Sequence, residues 1–145
     1  MKKAVSFIEL VVVISIMGLI AVITIPTVKS YLPSWQLSGT ARVLLNQLRQ
    51  AQEEAVTAQK QHLVRFTSTA SPVTYDLIKV DGTETVVETT TMPNNIIVAL
   101  DASITGNQII FSSDGGPSSS GNITISLNGV SKIINITPAG VMKLQ

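Results

Sequence analysis

The 145-residue sequence has no cysteine and only one histidine, His62. Without cysteine there are no disulfides, no thiol nucleophile and no zinc site built on cysteine. One histidine also excludes a three-histidine metal site, and a serine–histidine–aspartate triad would have to use it. Charged residues make up 13% of the chain and the net charge is +1, so no strong field attracts nucleic acid or acidic partners. We therefore predict no cofactor, no metal site and no enzyme activity.

The sequence does contain one long apolar run near its start. Residues 10–25 have no charged side chain, and eleven of them are Leu, Val or Ile. A helix over residues 5–26 would span about 30 Å, the thickness of the hydrocarbon core of a bilayer. Inserting the eleven aliphatic side chains is favourable by about 3–7 kcal/mol, which can outweigh one carboxylate near the end of the segment. We predict a membrane segment, with Lys2 and Lys3 before it.

A cleavable secretory signal would also combine positive charge with an apolar run. Such a signal would end in a small-residue Ala-x-Ala site, whereas this run ends in Ile25-Pro26 and continues as Val28-Lys-Ser-Tyr31. It would also be apolar where this chain has Glu9. An ordinary cleaved signal is the alternative to a retained membrane helix, and these residues favour the helix.

A short motif at the start of the run resembles a known processing signal. The residues Lys3-Ala-Val-Ser-Phe-Ile-Glu-Leu10, followed by Gly18 and Pro26, are similar to the class III signal of type IV pilins and pseudopilins. The resemblance implies that a prepilin peptidase cuts between Ala4 and Val5 and that the new Val5 amine is methylated. Ala4 stands where this family usually has Gly, and Val5 where Phe or Met is commoner.

Glu9 is the one acid in the apolar segment, and such an acid is costly unless it is paired or functional. After a cut before Val5, the chain presents a positive amine four residues away, and a neighbouring chain could present the same amine. Pairing the Glu9 carboxylate with a neighbour's amine would neutralise both charges and set the stagger between subunits. We hypothesise that Glu9 is the assembly residue of a filament. The alternative is an acid that only reaches the lipid headgroups.

Glycine and proline mark where the helix is expected to change direction. Gly18 and Pro26 bracket the part that we expect to bend or unwind when a subunit moves from lipid into a filament. Pro26 and Pro33 would kink or interrupt the helix. Tyr31 and Trp35 lie where aromatic side chains occupy a membrane interface, and they could equally be core residues.

A second helical pattern starts at Ser34, a candidate N-cap, and continues to about Gln61. Its apolar residues recur at three- and four-residue steps. They are Leu37, Ala41, Leu44, Leu45, Leu48, Ala51, Ala55 and Ala58. This spacing predicts an amphipathic helix that packs one face on the rest of the domain.

The rest of the chain has the pattern of an antiparallel sheet. Strands are predicted over residues 62–67, 73–80, 83–90, 96–100, 108–112, 123–127, 130–137 and 141–144. Asp81-Gly82 and Asn128-Gly129 are hairpin turns. Residues 113–121 are a loop by composition, in which Asp114 is a turn residue rather than a calcium ligand. We expect His62, at the helix-to-strand junction, to be exposed or to cap the helix.

Together these patterns predict an α+β chain, in which a long N-terminal α-helix packs on an antiparallel β-rich head. Residues 1–4 are the leader and residues 5–26 the transmembrane or filament-core helix. Residues 27–61 continue that helix as an amphipathic half, and residues 62–145 form the β-sheet head.

The order of motifs in the head is similar to that of a narrower group. The motifs are Ala51-Gln-Glu-Glu-Ala55, Ile109-Ile-Phe-Ser-Ser-Asp-Gly115, Gly121-Asn-Ile-Thr-Ile-Ser-Leu127 and Ile136-Thr-Pro-Ala-Gly-Val141. This order resembles the H-type minor pseudopilin of type II secretion and the FimT-type minor pilins. The resemblance implies a minor subunit near the tip of a filament, in initiation or in contact with cargo.

Two functions follow from these resemblances. The first is a structural subunit of a type II secretion pseudopilus or a type IV pilus. The second is a DNA-binding minor pilin that serves DNA uptake, as FimT-type relatives can do. DNA binding needs several basic residues at the C-terminal end of the head, where this chain has only Lys132 and Lys143. Nucleic acid is therefore not an expected partner.

The expected partners of a structural subunit are the prepilin peptidase that also methylates, other pilin or pseudopilin subunits, the inner-membrane assembly platform and, before assembly, membrane lipid. We expect one pass through the bacterial cytoplasmic membrane, with Lys2 and Lys3 inside and the head outside the cytoplasm. The assembled subunit would then be part of a periplasmic or cell-surface filament.

Overall fold

The computed structural model describes residues 6–145, apart from the side chains of residues 26, 27, 29 and 30. Helix α1 spans Phe7–Ala58. The strands are β1 Gln61–Ser68, β2 Thr74–Asp81, β3 Thr83–Thr91, β4 Ile97–Leu100, β5 Gln108–Phe111, β6 Gly121–Leu127, β7 Val130–Ile136 and β8 Met142–Leu144, with a short 3₁₀ turn Thr105–Asn107 before β5. This order, one long helix and then antiparallel strands, confirms the predicted α+β class.

Helix α1 continues through Pro26 and Pro33, so the expectation of an interrupted helix is wrong. A proline inside a helix removes one backbone donor and costs about 3 kcal/mol, but the hydrogen bonds on either side keep the remaining turns. Ser34 therefore lies within the helix and is not its N-cap. The chain nevertheless divides into two compact units after Pro33, and we call the second, Ser34–Gln145, the head unit.

In the head unit, one face of α1 is part of the hydrophobic core. Seven of the eight predicted apolar positions are buried, namely Leu37, Ala41, Leu44, Leu45, Leu48, Ala51 and Ala55. Residues three and four apart lie on the same side of a helix, which is why the stripe is buried as a unit. Ala58 is exposed instead, because α1 ends at this residue.

The strands form two four-stranded antiparallel sheets, sheet A in the order β3-β2-β1-β5 and sheet B in the order β4-β6-β7-β8. Both sheets contribute to the same hydrophobic cluster as the helix stripe. The strand residues of that cluster are Val64, Phe66, Tyr75, Leu77, Val98, Ile109, Phe111, Ile123, Ile125, Leu127, Ile134, Ile136 and Met142. Alternate residues of a strand point to the same face, so Val64 and Phe66 share the cluster face, whereas Leu63 and Ile78 are buried on the other face of sheet A.

One polar side chain of α1 holds two loops of the head unit against the helix. The Gln52 Nε2 donates to the carbonyl oxygen of Gly115 at 2.8 Å and to that of Gly140 at 3.1 Å. Gly140 has a φ of +79°, and a Cβ atom there would lie 2.6 Å from Gln52 Nε2 and 3.0 Å from the Gly115 oxygen. Glycine at position 140 is therefore needed both for its backbone conformation and for this close approach.

The replacement Gly140→Ala tests that close approach, with Gly129→Ala as the matched control. Gly129 has a similar φ of +82°, but a Cβ there meets no atom within 4 Å. Both variants carry the cost of a left-handed alanine, and only Gly140→Ala also displaces Gln52. We expect Gly140→Ala to lose about 1–3 kcal/mol more free energy of unfolding than the control. Urea titration of the full chain in detergent measures this, and equal losses would contradict it.

The solvent face of sheet A is crossed by one hydrogen-bonded arginine. Arg65 on β1 donates from both terminal nitrogens to the Glu84 carboxylate on β3, at 2.7 Å each, and from Nε to the Gln108 side-chain oxygen on β5 at 2.9 Å. Since β2 lies between β1 and β3, these contacts link the whole width of the sheet. The hydrogen bonds from Arg65 hold the pKa of Glu84 below its ordinary value of 4.5, and those to Glu84 raise the pKa of Arg65.

The lowered pKa of Glu84 predicts an acid-sensitive contribution to stability. A carboxyl whose pKa is lower in the folded state stabilises the fold above its unfolded pKa, and this contribution disappears as the pH falls through the folded value. We expect Glu84→Gln to lower the urea midpoint at pH 7, and the difference from the unmodified chain to shrink below pH 4.5. Glu88→Gln, on the same strand, is the control. A difference that persists unchanged in acid would refute the prediction.

Candidate assembly site on the N-terminal helix

Residues Phe7–Ile25 form a helical segment that is long and apolar enough to cross a membrane. Its mean hydropathy is 2.8, and none of it is buried within the described chain. Nineteen helical residues span about 28 Å. An apolar surface of this size is not stable in water, so it must be covered by lipid or by another protein. We call Phe7–Ile25 the apolar segment.

The hydroxyl groups of the apolar segment are satisfied within the helix. The Ser15 hydroxyl donates to the Val11 carbonyl oxygen at 2.7 Å, and the Thr24 hydroxyl donates to that of Ile20 at 2.8 Å. Each of these bonds reaches one turn back along the helix. The two hydroxyls therefore do not need water, and the segment is compatible with a hydrocarbon environment.

Glu9 lies exposed in the first turn of α1. The positive end of the helix dipole favours a carboxylate at this position. The ion pairs found among residues 6–145 do not include Glu9. Ala4 and Val5, the residues of the predicted cut, lie outside the described residues, as do Lys2 and Lys3. The described part of the chain thus presents the carboxylate but does not supply a cationic partner for it.

The two predicted bending positions, Gly18 and Pro26, both lie inside α1. A Cβ atom built on Gly18 meets no atom within 4 Å, so packing within the chain does not require glycine there. Glycine in a helix is less favourable than alanine by about 1 kcal/mol. Weakening of the helix at this point is consistent with the expected bending, which stays a prediction.

The aromatic residues Tyr31 and Trp35 are on the surface rather than in the core. Tyr31 is 58% exposed and Trp35 is 69% exposed. The exposure of both side chains excludes the interpretation that they are core residues of this chain, and the membrane-interface interpretation is left. Large aromatic side chains that remain exposed commonly contact a membrane interface or another protein.

His62 differs from the expectation, because it is buried and not exposed. Its side chain is on β1 and is 2% exposed. The Nδ1 atom is 3.1 Å from the Lys60 carbonyl oxygen, and Nε2 is 3.6 Å from a Glu54 carboxylate oxygen. Strand alternation places His62 on the same face as Val64, which packs in the core. Counting alternate positions from Val64 was the sequence signal that could have shown this.

The titratable side chains of the head unit form no metal-binding cluster among the described residues. No group of three or more His, Cys, Asp or Glu side chains among residues 6–145 could hold a metal ion. The hydrogen bond from Lys60 holds the pKa of Asp81 below its usual range, and burial raises the pKa of Tyr75 to about 12. Asp81 and Tyr75 lie roughly 20 Å apart along β2, whereas active sites gather perturbed groups in one cleft.

The two C-terminal lysines do not form one basic patch. Lys143 on β8 pairs with Asn135 on β7, and directly paired residues share a face of the sheet. Lys132 is three residues from Asn135 on the same strand, so it lies on the opposite face of sheet B. Lys143 is exposed and Lys132 is partly buried. This arrangement does not favour the DNA-binding alternative, which needs several cations on one surface.

With the helix and both sheets described, the chain can be compared with known proteins. Residues 40–140 match the family model described as Type II transport protein GspH. This match covers more than half of the chain, including the helix stripe from Ala41 onward and every strand except β8. The chain belongs to the GspH family. It is therefore a pilin-like structural subunit of a family whose members contact other pilin subunits in a filament, which confirms the resemblance to H-type pseudopilins.

Solved structures of two pilin-like proteins share the fold of this GspH-family chain. The type IV minor pilin FimU of Pseudomonas aeruginosa superposes with a TM-score of 0.64 at 15% identity, over 75% of this chain and 87% of that chain. The minor pseudopilin EpsH from the type 2 secretion system of Vibrio cholerae gives 0.66 at 13% identity, over 76% of this chain and 96% of that chain. At these identities the likeness shows the fold alone. A comparison with curated protein sequences gives no match.

Proposed function

We propose that this GspH-family chain is a minor subunit of a type II secretion pseudopilus or a type IV pilus. Residues 5–26 anchor it in the cytoplasmic membrane, with the head outside the cytoplasm, until it is lifted into the filament. The exposed apolar segment, on the same chain as a well-packed head unit, is the observation that supports this function. A filament core of neighbouring helices covers the segment as lipid does, so the transfer replaces one apolar environment with another.

Glu9 sets the position of the subunit in that core. Its carboxylate meets the methylated Val5 amine of an adjacent subunit, and the two charges neutralise each other where water is excluded. A charge-assisted hydrogen bond of this kind is stronger than a neutral one, and leaving either partner unpaired in an apolar core is costly. The pair therefore favours one axial stagger of adjacent helices over all others. The Glu9 carboxylate is exposed in the first turn of α1, where a neighbouring subunit can reach it.

The processing step gives a direct test of the proposal. We expect the chain purified from cells that contain a prepilin peptidase to begin at Val5 and to carry an N-methyl group. Mass spectrometry of the intact chain and of its N-terminal peptide measures both. The variant Ala4→Leu should keep its leader, because a small residue is expected before the cut and leucine is bulky. A native chain that keeps its first four residues, unmethylated, would overturn the proposal.

The role of Glu9 gives a second test, in which membrane insertion and filament assembly are measured separately. We expect Glu9→Leu and Glu9→Gln to enter the membrane at least as well as the unmodified chain, because a charge has been removed from an apolar segment. Their incorporation into sheared filaments should fall about tenfold or more, the effect of losing a charged hydrogen bond. Glu9→Asp, which keeps the charge, should retain part of the incorporation. Normal incorporation of Glu9→Leu would exclude the assembly role and leave the headgroup interpretation.

A further inference from the structure

The head unit has an uncharged groove between α1 and the end of β3. Its volume is about 380 Å³. Gly39, Thr40 and Val43 line it from the helix, and Tyr75, Thr91 and Met92 line it from the side of sheet A. The described residues of the lining include no acid and no base. We call this the Gly39 groove.

Gly39 itself is not explained by packing within the chain. It is exposed in the middle of a long helix, and a Cβ atom built on it meets no atom within 4 Å. A helix with glycine at this position is less stable than one with alanine. Trp35 lies one turn before it and is 69% exposed, and Val43 lies one turn after it and is 50% exposed. The helix therefore presents a gap flanked by two exposed apolar side chains.

We propose that the Gly39 groove receives the apolar helical segment of an adjacent filament subunit. This inference rests on the proposed function and names the surface of the head unit that the neighbour contacts. Glycine in one helix lets a second helix approach closely, and exposed tryptophan is enriched at the centres of protein interfaces. Gly39 and Trp35 supply both features on one helix face.

Charge and continuity identify the occupant. The apolar segment has no charged residue after Glu9, and a partner without charge suits a groove without charge, because an unpaired charge would be left buried. The groove is also formed in part by α1, the same helix that carries the apolar segment through which subunits are proposed to assemble. A neighbouring head is the competing occupant, since Ile97 and Val141 are also exposed apolar residues.

The variant Gly39→Leu tests the close approach, with Asn46→Leu as a control that places an exposed leucine outside the groove lining, two turns further along the same helix. We expect Gly39→Leu to keep or raise the denaturation midpoint of the full chain in detergent, because the site is open and leucine favours the helix. Incorporation into filaments should fall about tenfold, since the added side chain blocks the neighbour. Asn46→Leu should incorporate normally. Equal incorporation of the two variants would overturn the proposal.

A photo-cross-linking experiment tests the occupant without depending on the fold of a variant. Benzoylphenylalanine is placed at Thr91 in the groove, with a control at Val141, an exposed residue beside β8 that does not line the groove. After irradiation of assembled filaments, peptide mass spectrometry should map the Thr91 product to the apolar N-terminal helix of a filament subunit. A product that maps to a neighbouring head, or one no stronger than from Val141, would refute the proposal.

The two proposals fail in different ways. If Glu9→Leu loses incorporation while Gly39→Leu does not, the groove is not the docking site and the subunit function stands. If the chain is never found in filaments at all, the proposed function fails, and the groove assignment fails with it.

Discussion

Burial of one face of α1 beneath both sheets is the interaction on which the head unit depends. The helix stripe alternates large side chains such as Leu44 and Leu48 with small ones such as Ala51 and Ala55, all at or near zero exposure. The small residues let the sheets approach the helix, and the large ones fill the space between them. Gln52, beside this stripe, then holds the two loops that carry Gly115 and Gly140. Helix, sheets and loops are thus one packed unit.

The part of α1 that precedes the head unit has a different requirement, since its apolar surface must be covered from outside the chain. The apolar segment is apolar on every side, and none of it is covered within the described chain. Lipid satisfies this requirement for a free subunit, and other subunits satisfy it in a filament of the kind that pilin-like proteins build. The family assignment and the exposed segment therefore both indicate a protein whose apolar surface is covered by neighbouring subunits. Glu9 and the Gly39 groove are the two places where we infer specific contacts with those subunits.

Most elements of the fold could be predicted from the sequence, because their signals are local. Alternation within strands and the Asn128-Gly129 turn placed the last hairpin, and three- and four-residue spacing placed the helix stripe. The predictions were wrong where the surrounding helix or strand outweighed the preference of a single residue. Ser34 and Pro33 have the features of a helix boundary, yet the turns on either side hold the helix through them. His62 is polar, yet strand alternation carries it into the core.

What the sequence by itself determined is the set of properties that depend on neighbours along the chain: a membrane-length apolar helix with one acid, an amphipathic continuation, and short strands joined by turns. The tertiary structure alone decided which distant residues meet. It divided the strands between two sheets, joined Arg65 to Glu84 across β2, separated Lys132 from Lys143, and left Gly39 open beside β3. These outcomes depend on strand order and on how sheets pack around a helix. Such long-range contacts leave no periodic trace in the sequence, because each involves residues far apart in the chain.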